Sequence, residues 1–196
     1  MSGFPLTNDS TAIIERVRAR LAAGGRNAID DASVRRAAVL VPLVEHAGQI
    51  ELILFVRSLQ VWEHKGEICF PGGAIEAHDD GAVAAALREA REELGIEPKT
   101  VSVLGLLDDV ATNVSGYAIT PVVGYLPAMP ALMPDATEVE RPLIVPLKHV
   151  LQPGSEQTEV RAIAGIERLR YAYQFGDDRI WGATARIIHS LLDLLR

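Results

Sequence analysis

The chain has little of what secreted, membrane-spanning and nucleic-acid-binding proteins need. Its single cysteine, Cys69, excludes an intramolecular disulfide and a cysteine-rich zinc site. No apolar run approaches the roughly 20 residues that cross a bilayer, and residues 1–10 lack the basic-then-apolar pattern of a secretory signal. Basic residues are outnumbered, 19 against 26 acidic, so the net charge is −7 and a broad basic surface for nucleic acid is excluded. We therefore expect a protein of the reducing cytoplasm with no nucleic-acid or membrane partner.

What is present is the composition of an ordinary globular domain. Hydrophobic residues make up 48% and charged residues 23% of the 196 residues, which predicts one domain with a sizeable core. We assign residues 1–34 to an N-terminal extension with one helix, which Ser10 or Thr11 caps and which ends near Ala23. Residues 35–196 form the main domain. The extension's helix packs either on its own domain or on a second subunit, so a homodimer stays open.

Along the main domain, apolar runs alternate with helical patterns. Helix formers and a closing Gly95 predict a helix over residues 82–94, and a second helix over 184–195 ends the chain. Predicted strands cover residues 37–44, 51–56, 68–70, 100–107, 118–125, 143–145 and 170–175, with a helical turn at 147–151. This order predicts a mixed α/β domain.

Three carboxylates recur at helical spacing in the predicted helix. Glu89, Glu92 and Glu93 stand at i, i+3 and i+4, which places them on one face, where like charges repel. Such a face is a solvated acidic surface, part of an ion-pair network, or a site for a hard cation such as Mg²⁺ or Mn²⁺. Residues 76–93 hold six acidic residues against two arginines, and the Gly72-Gly73 turn precedes them after an apolar strand. This context favours the cation site.

Residues 72–96 (GGAIEAHDDGAVAAALREAREELGI) resemble the signature of the Nudix hydrolases. That signature has a glycine, an acidic residue, then Arg-Glu, a hydrophobic residue, any residue, Glu-Glu, any residue, glycine and a hydrophobic residue. Residues 88–96 match its second half throughout. Counted from Gly73, the loop before the helix is one residue longer, and its acid is Asp79 or Asp80 where glutamate is usual. The coenzyme A diphosphatase branch of the family has the same longer loop.

The resemblance to that branch extends beyond the signature and covers roughly residues 35–190. Residues 54–73 are similar to the motif that precedes the signature, although Phe55 stands where threonine is usual and Trp62 where a basic residue is usual. Residues 112–121 and 180–185 resemble the branch's central and C-terminal segments. The shared positions of the preceding motif are Arg57, Ser58, Gly66, Phe70, Pro71, Gly72 and Gly73.

The resemblance implies a fold, an activity and a metal. The fold is the Nudix α/β/α sandwich, with a mixed β-sheet between helices. The activity is a Mg²⁺- or Mn²⁺-dependent diphosphatase that cleaves coenzyme A or acyl-coenzyme A into 3′,5′-ADP and 4′-(acyl)phosphopantetheine. Glu89, Glu92 and Glu93 are the implied metal ligands, with the carbonyl of Gly73 as a further ligand. Arg88 then holds the glutamates through charge-assisted hydrogen bonds, or is an ordinary i,i+4 partner of Glu92.

Three points about the reaction stay open in the sequence. The proton of the attacking water goes to Glu92 or Glu93, or to an acid of another loop such as Glu138 or Glu140. Arg57 and Lys65 are candidate phosphate contacts, and Trp62 either stacks on adenine or packs. The alternative functions are a Nudix hydrolase of another nucleoside diphosphate derivative, such as ADP-ribose or a dinucleoside polyphosphate, and a nucleotide-sensing module without hydrolysis.

Overall fold

The computed structural model describes residues 9–60, 65–112, 116–163 and 166–196, with the backbone alone for 161–163 and 166–168. A short 3₁₀ turn covers Pro98–Thr100. No helix in these ranges combines the length and apolar character that crossing a bilayer requires. The helices are α1 (Ser10–Ala23), α2 (Gly81–Leu94), α3 (Leu147–Leu151) and α4 (Gly182–Leu195).

The described strands form two sheets. The larger sheet contains β1 (Arg35–His46), β2 (Gln49–Arg57), β3 (Ile68–Cys69), β4 (Gly72–Ala74), β5 (Ser102–Leu106), β6 (Val110–Ala111), β7 (Tyr117–Leu126) and β8 (Val139–Pro146). The smaller sheet contains β9 (Glu156–Ile163), β10 (Ile166–Phe175) and β11 (Asp178–Trp181).

The larger sheet is mixed, as the resemblance implied. Its main path runs β3-β2-β1-β7-β5, and β1 pairs with β7 in parallel over ten residues, while the other pairs are antiparallel. At one end β4 pairs with β1, and β8 covers the other side of β2. Strand β4 thereby carries the two glycines of the signature directly against the central strand.

Helices cover both faces of this sheet, which confirms the predicted α/β/α sandwich. On β1, Leu40 and Val44 face the core under α2, whereas Val41 and Leu43 face the core shared with α1 and α4. Successive side chains of a strand point to opposite faces, so a continuous apolar run fits a strand that is buried on both sides. The side of α2 that meets the sheet is mainly small, since Ala85, Ala86 and Ala90 are all fully buried.

Helix α1 packs on its own chain, against α4 and β5, and buries Ile14 and Val17. The predicted cap was wrong by a residue or two. Asp9 caps the helix, because its carboxylate accepts hydrogen bonds from the amides of Thr11 (3.0 Å) and Ala12 (3.4 Å).

A buried carboxylate ties the segment after α1 to the larger sheet. Asp109, between β5 and β6, accepts hydrogen bonds from Arg26 (2.5 Å), from the amide of Ile29 (2.9 Å) and from the hydroxyl of Thr120 on β7 (2.8 Å). Arg36 on β1 lies 3.3 Å from the same carboxylate. The two arginines therefore compensate a carboxylate that is fully removed from water.

The C-terminal part differs most from the expectation. One strand was predicted over residues 170–175, whereas the hairpin of β9 and β10 is longer and β11 completes a separate sheet. At the end of β11, Trp181 is 45% exposed.

Candidate active site

The three glutamates of α2 have very different surroundings, contrary to the uniform face that their spacing predicts. The exposed fraction of the side chain is 16% for Glu89, 58% for Glu92 and 2% for Glu93. Glu93 turns inward, and its Oε2 accepts a 2.8 Å hydrogen bond from the amide of Gly72. The helix thus presents one buried carboxylate, one half-buried carboxylate and one that reaches solvent.

Arg88 connects the loop before α2 to the glutamates on it. Its Nε and Nη2 donate to both oxygens of Asp79, at 3.0 and 2.9 Å, and Nη2 also donates to the carbonyl of Ala74 at 3.2 Å. Its Nη1 donates to Glu89 (2.9 Å) and to Glu92 (3.0 Å). Arg88 therefore contacts two of the three glutamates, and its contact with Glu92 is an i,i+4 pair.

Of the two candidate loop acids of the signature, Asp79 is the one that pairs with Arg88. The hydrogen bonds from Arg88 hold the pKa of Asp79 at about 2, below the usual value of 3.8. Asp80 occupies the N-cap position of α2 but makes no side-chain cap hydrogen bond. The carboxylate of Asp79 pairs with an arginine two turns into the helix instead.

Two glycines allow the strand, the loop and the helix to approach each other. A Cβ on Gly72, whose φ is +156°, would lie 2.3 Å from the carbonyl oxygen of Ala38 on β1. A Cβ on Gly73 would lie 2.5 Å from Oε1 of Glu89. The Glu89 carboxylate therefore rests against the Gly73 backbone, in space that any other residue would fill.

Burial changes the acidity of the inner carboxylates. It raises the pKa of Glu93 to about 8, an effect reinforced by the charges of Glu89 and Glu138 and opposed by the Gly72 amide and Arg57. Burial also raises the pKa of Glu89, against the hydrogen bond from Arg88. Where a carboxylate has few water contacts and lies near other carboxylates, an added cation stabilises its ionised form.

Arg57 and Glu138 complete the site from outside the signature. Nη1 of Arg57 lies 3.8 Å from Oε1 of Glu93, and Nη2 lies 3.9 Å from Oε2 of Glu138. Of the two loop acids named from the sequence, Glu138 is the one beside these groups, while Glu140 lies exposed on β8. Strand pairing explains the meeting, because Arg57 at the end of β2 pairs with Val139 at the start of β8.

The remaining predicted substrate contacts are only partly placed. Lys65 is exposed in the turn after β2, where the amide of Gly66 donates to the carbonyl of Arg57 at 3.1 Å. Among the described residues it forms no ion pair with the site's carboxylates. Trp62 lies outside the described residues.

The donor set fits a hard divalent cation. Every candidate ligand is an oxygen, from Glu89, Glu92, Glu93 or the Gly73 carbonyl, and oxygen is the donor that Mg²⁺ and Mn²⁺ prefer. Within the described ranges, no three His, Cys, Asp or Glu side chains are close enough to form a ready-made metal cluster. The three carboxylates are kept apart because Arg88 binds Glu89 and Glu92, while Glu93 turns inward to the amide of Gly72.

Asp135 was not among the residues predicted from the sequence. This residue forms a turn just before Glu138, and its amide donates a 2.9 Å hydrogen bond to the carbonyl of Glu93. The available signal was an aspartate followed two residues later by Thr137, a pairing that favours a side-chain turn.

Comparison with known proteins identifies the family. A family model described as the NUDIX domain matches residues 34–140. The Nudix hydrolase NudL of Escherichia coli K12, itself described as uncharacterized, is 38% identical over 157 residues, which are 80% of this chain and 81% of NudL.

Solved structures agree on the fold. A MutT/nudix family protein from Enterococcus faecalis has a TM-score of 0.59 at 13% identity, covering 98% of this chain and 76% of that one. The NUDIX domain of Shewanella oneidensis NrtR, solved with ADP ribose, has a TM-score of 0.54 at 17% identity, covering 89% of this chain and 92% of that one. On the family model and the NudL identity together, this chain belongs to the Nudix family of hydrolases.

Proposed function

We propose that this Nudix hydrolase cleaves the diphosphate of coenzyme A or acyl-coenzyme A, releasing 3′,5′-ADP and 4′-(acyl)phosphopantetheine. One observation carries the proposal. Arg57, from the segment that resembles the motif of the coenzyme A branch, lies 3.8 Å from Glu93 of the signature helix. Two separate points of resemblance thus meet in one site, as a shared substrate would require.

In this proposal Glu89, Glu92 and Glu93 hold Mg²⁺ or Mn²⁺, with the Gly73 carbonyl as a further ligand. The cation, when bound, neutralises diphosphate charge and lowers the pKa of a bound water. Arg88 orients Glu89 and Glu92 through its hydrogen bonds.

Arg57 contacts a phosphate oxygen of the substrate. Its two ion pairs are longer than hydrogen bonds, so its guanidinium keeps donors for that oxygen. Lys65 and Trp62 remain our predicted contacts for phosphate and adenine.

We assign the general base to Glu138. Glu93 is buried against Gly72, and Glu92 is bound to Arg88, whereas the Glu138 side chain is 47% exposed beside the same site. Water oxygen forms a bond to phosphorus as the phosphorus–oxygen bond of the anhydride breaks, and Glu138 accepts the water proton. The departing phosphate carries away the electron pair of the broken bond.

The test is to incubate the wild-type protein and Glu93→Gln with coenzyme A and Mg²⁺ or Mn²⁺, and to identify products by mass spectrometry. We expect the two named products from the wild type and a severe loss in the variant. 3′-Dephospho-coenzyme A and ADP-ribose are assayed beside it. Intact coenzyme A alongside cleaved ADP-ribose would refute the substrate and leave a hydrolase of another nucleoside diphosphate derivative. A nucleotide that binds but is not cleaved with either Mg²⁺ or Mn²⁺ would instead indicate a sensing module.

A further inference from the structure

We propose that Asp135 is a positioning residue, which sets Glu138 against Arg57 and the buried end of α2. The inference rests on the proposed function, since it assigns Glu138 a part in that reaction. Asp135 itself is exposed and contacts neither Arg57 nor the carboxylates of α2 through its side chain. Its effect on the site passes through the turn that it builds.

The turn surrounds Glu138 with hydrogen bonds to a single residue. Oδ1 of Asp135 accepts from both the amide and the hydroxyl of Thr137, each at 2.8 Å. The carbonyl of Asp135 accepts from the amides of Glu138 (3.0 Å) and Val139 (2.8 Å). Residues 137–139 are therefore all bonded to Asp135, and the backbone of Glu138 is fixed from both sides.

The same turn is attached to the two elements that carry the site. The amides of Met133 and Asp135 donate to the carbonyls of Leu94 and Glu93 in the last turn of α2, each at 2.9 Å. The carbonyl of Glu138 accepts a 2.8 Å hydrogen bond from the amide of Ser58, the residue after Arg57. Glu138 is thus held between the end of β2 and the end of α2.

These hydrogen bonds link Glu93 and Glu138 through their backbones. Glu93 offers its carboxylate to the site and its carbonyl to Asp135, and Asp135 then fixes the backbone of Glu138. A general base acts only within hydrogen-bond reach of the proton it accepts. A displacement of about 1 Å in such a group lowers the rate by up to roughly 100-fold.

The chain offers a matched control at Asp31. Oδ1 of Asp31 accepts from the amide of Ser33 at 2.9 Å and from its hydroxyl at 2.6 Å, which is the same turn chemistry in the segment before β1. Removing the carboxylate of either aspartate breaks the same two hydrogen bonds within a local turn. A difference in turnover between the two variants therefore reports on Glu138.

The experiment measures kcat and KM with Mg²⁺ on coenzyme A, and on ADP-ribose if coenzyme A is not cleaved, together with the unfolding midpoint. The variants are Asp135→Ala, Asp135→Asn, Thr137→Val, Asp31→Ala, Glu138→Gln and the double variant Asp135→Ala/Glu138→Gln.

We expect Asp135→Ala to lower kcat about 10- to 100-fold, with KM nearly unchanged because Arg57 still meets the phosphate. Asp135→Asn keeps an oxygen acceptor and restores most of the rate. Thr137→Val gives a smaller loss, and Asp31→Ala keeps the wild-type kcat.

The decisive comparison is the double variant. If Asp135 acts through Glu138, its replacement adds no further loss once Glu138 is glutamine. An equal loss in both backgrounds, or wild-type kcat in Asp135→Ala, would overturn the inference while leaving the hydrolase intact. A wild-type protein that cleaves neither substrate would refute the proposed function, and this inference with it.

Discussion

The amide of Gly72 donates a 2.8 Å hydrogen bond to the carboxylate of Glu93, which lies 21 residues further along the chain. The bond joins the strand before the acidic loop to the last turn of the helix after it. Arg88 joins the same two elements from the other end of the loop, through the carbonyl of Ala74 and the carboxylate of Asp79. The loop is therefore closed at two points, and each closure uses a residue of the signature.

Alanine at the two signature glycines should separate stability from activity. Gly73→Ala places a methyl group 2.5 Å from Glu89, whose side chain can move away, so we expect a largely intact fold. Turnover should fall by roughly 10- to 100-fold, because a ligand carboxylate has been displaced. Gly72→Ala instead meets the backbone of Ala38 at 2.3 Å, which cannot move without disturbing the sheet. We expect a loss of about 3 kcal/mol in the free energy of unfolding.

Urea unfolding and steady-state kinetics on both variants check this prediction. Gly25→Ala is the control, since a Cβ at that position meets nothing within 4 Å. It should leave turnover and stability unchanged within about 0.5 kcal/mol. Equal unfolding curves for the variants at Gly72 and Gly73 would contradict the distinction.

Replacing Arg88 by lysine should weaken both the loop and the site. Lysine is a point charge that cannot reproduce the forked contact with Asp79 and the simultaneous bonds to Glu89 and Glu92. We expect a loss of about 1–3 kcal/mol in stability and roughly 10- to 100-fold in kcat.

The control for this change is Arg91→Lys on the same helix. Arg91 is 65% exposed, and its pair with Glu97 spans 3.7 Å. We expect it to behave as the wild type in thermal unfolding and in turnover. If Arg88→Lys did the same, the five contacts of Arg88 would not matter to the site.

The sequence predicts the elements around the site better than the contacts within it. Helix α2 follows from helix-forming residues between the loop aspartates and Gly95, whose φ of +71° allows the left-handed stop. Strands β1 and β2 follow from apolar runs, because both of their faces are buried. Local composition determines these features, so the sequence suffices.

Other features depend on pairings that no local pattern encodes. Spacing places Glu93 on a face with Glu89, but only the approach of Gly72 turns its carboxylate inward. Glu138 joins the site because β8 pairs with β2, where Arg57 lies opposite Val139, 82 residues further along the chain. Sequence periodicity does not contain this pairing. Residues 157–160 of strand β9 are all exposed, and three of the four are polar, so the strand gave no apolar signal.

Removal of the Asp109 carboxylate should be the most damaging change outside the site. Alanine there leaves Arg26, Arg36 and Thr120 without the acceptor that they share. Because the Asp109 side chain is fully buried, whereas those of Arg26 and Arg36 are 26% and 39% exposed, we expect a loss of about 2–3 kcal/mol in the free energy of unfolding. Chemical unfolding measures it.

The comparison is with Arg18→Ala, which removes the exposed ion pair between Arg18 and Glu15. A solvent-exposed pair contributes about 0–1 kcal/mol. Similar losses of unfolding free energy in both variants would mean that the burial of Asp109 does not determine its contribution to stability.

The pair of Asp79 and Arg88 should make stability depend on pH in the acid range. Because the folded chain lowers the pKa of Asp79 from 3.8 to about 2, the ionised carboxylate stabilises the fold above pH 3.8. That contribution is lost as the pH falls towards about 2, where the folded chain also takes up the proton. The unfolding midpoint of the wild type should therefore exceed that of Asp79→Asn by a constant amount above pH 3.8, and the gap should close below it. Asp80→Asn loses the same charge without losing the contact with Arg88, so it separates a change in net charge from the loss of this pair. If the difference in unfolding midpoint between wild type and Asp79→Asn persisted unchanged down to pH 2, protonation of Asp79 would not control the stability that its pair with Arg88 contributes.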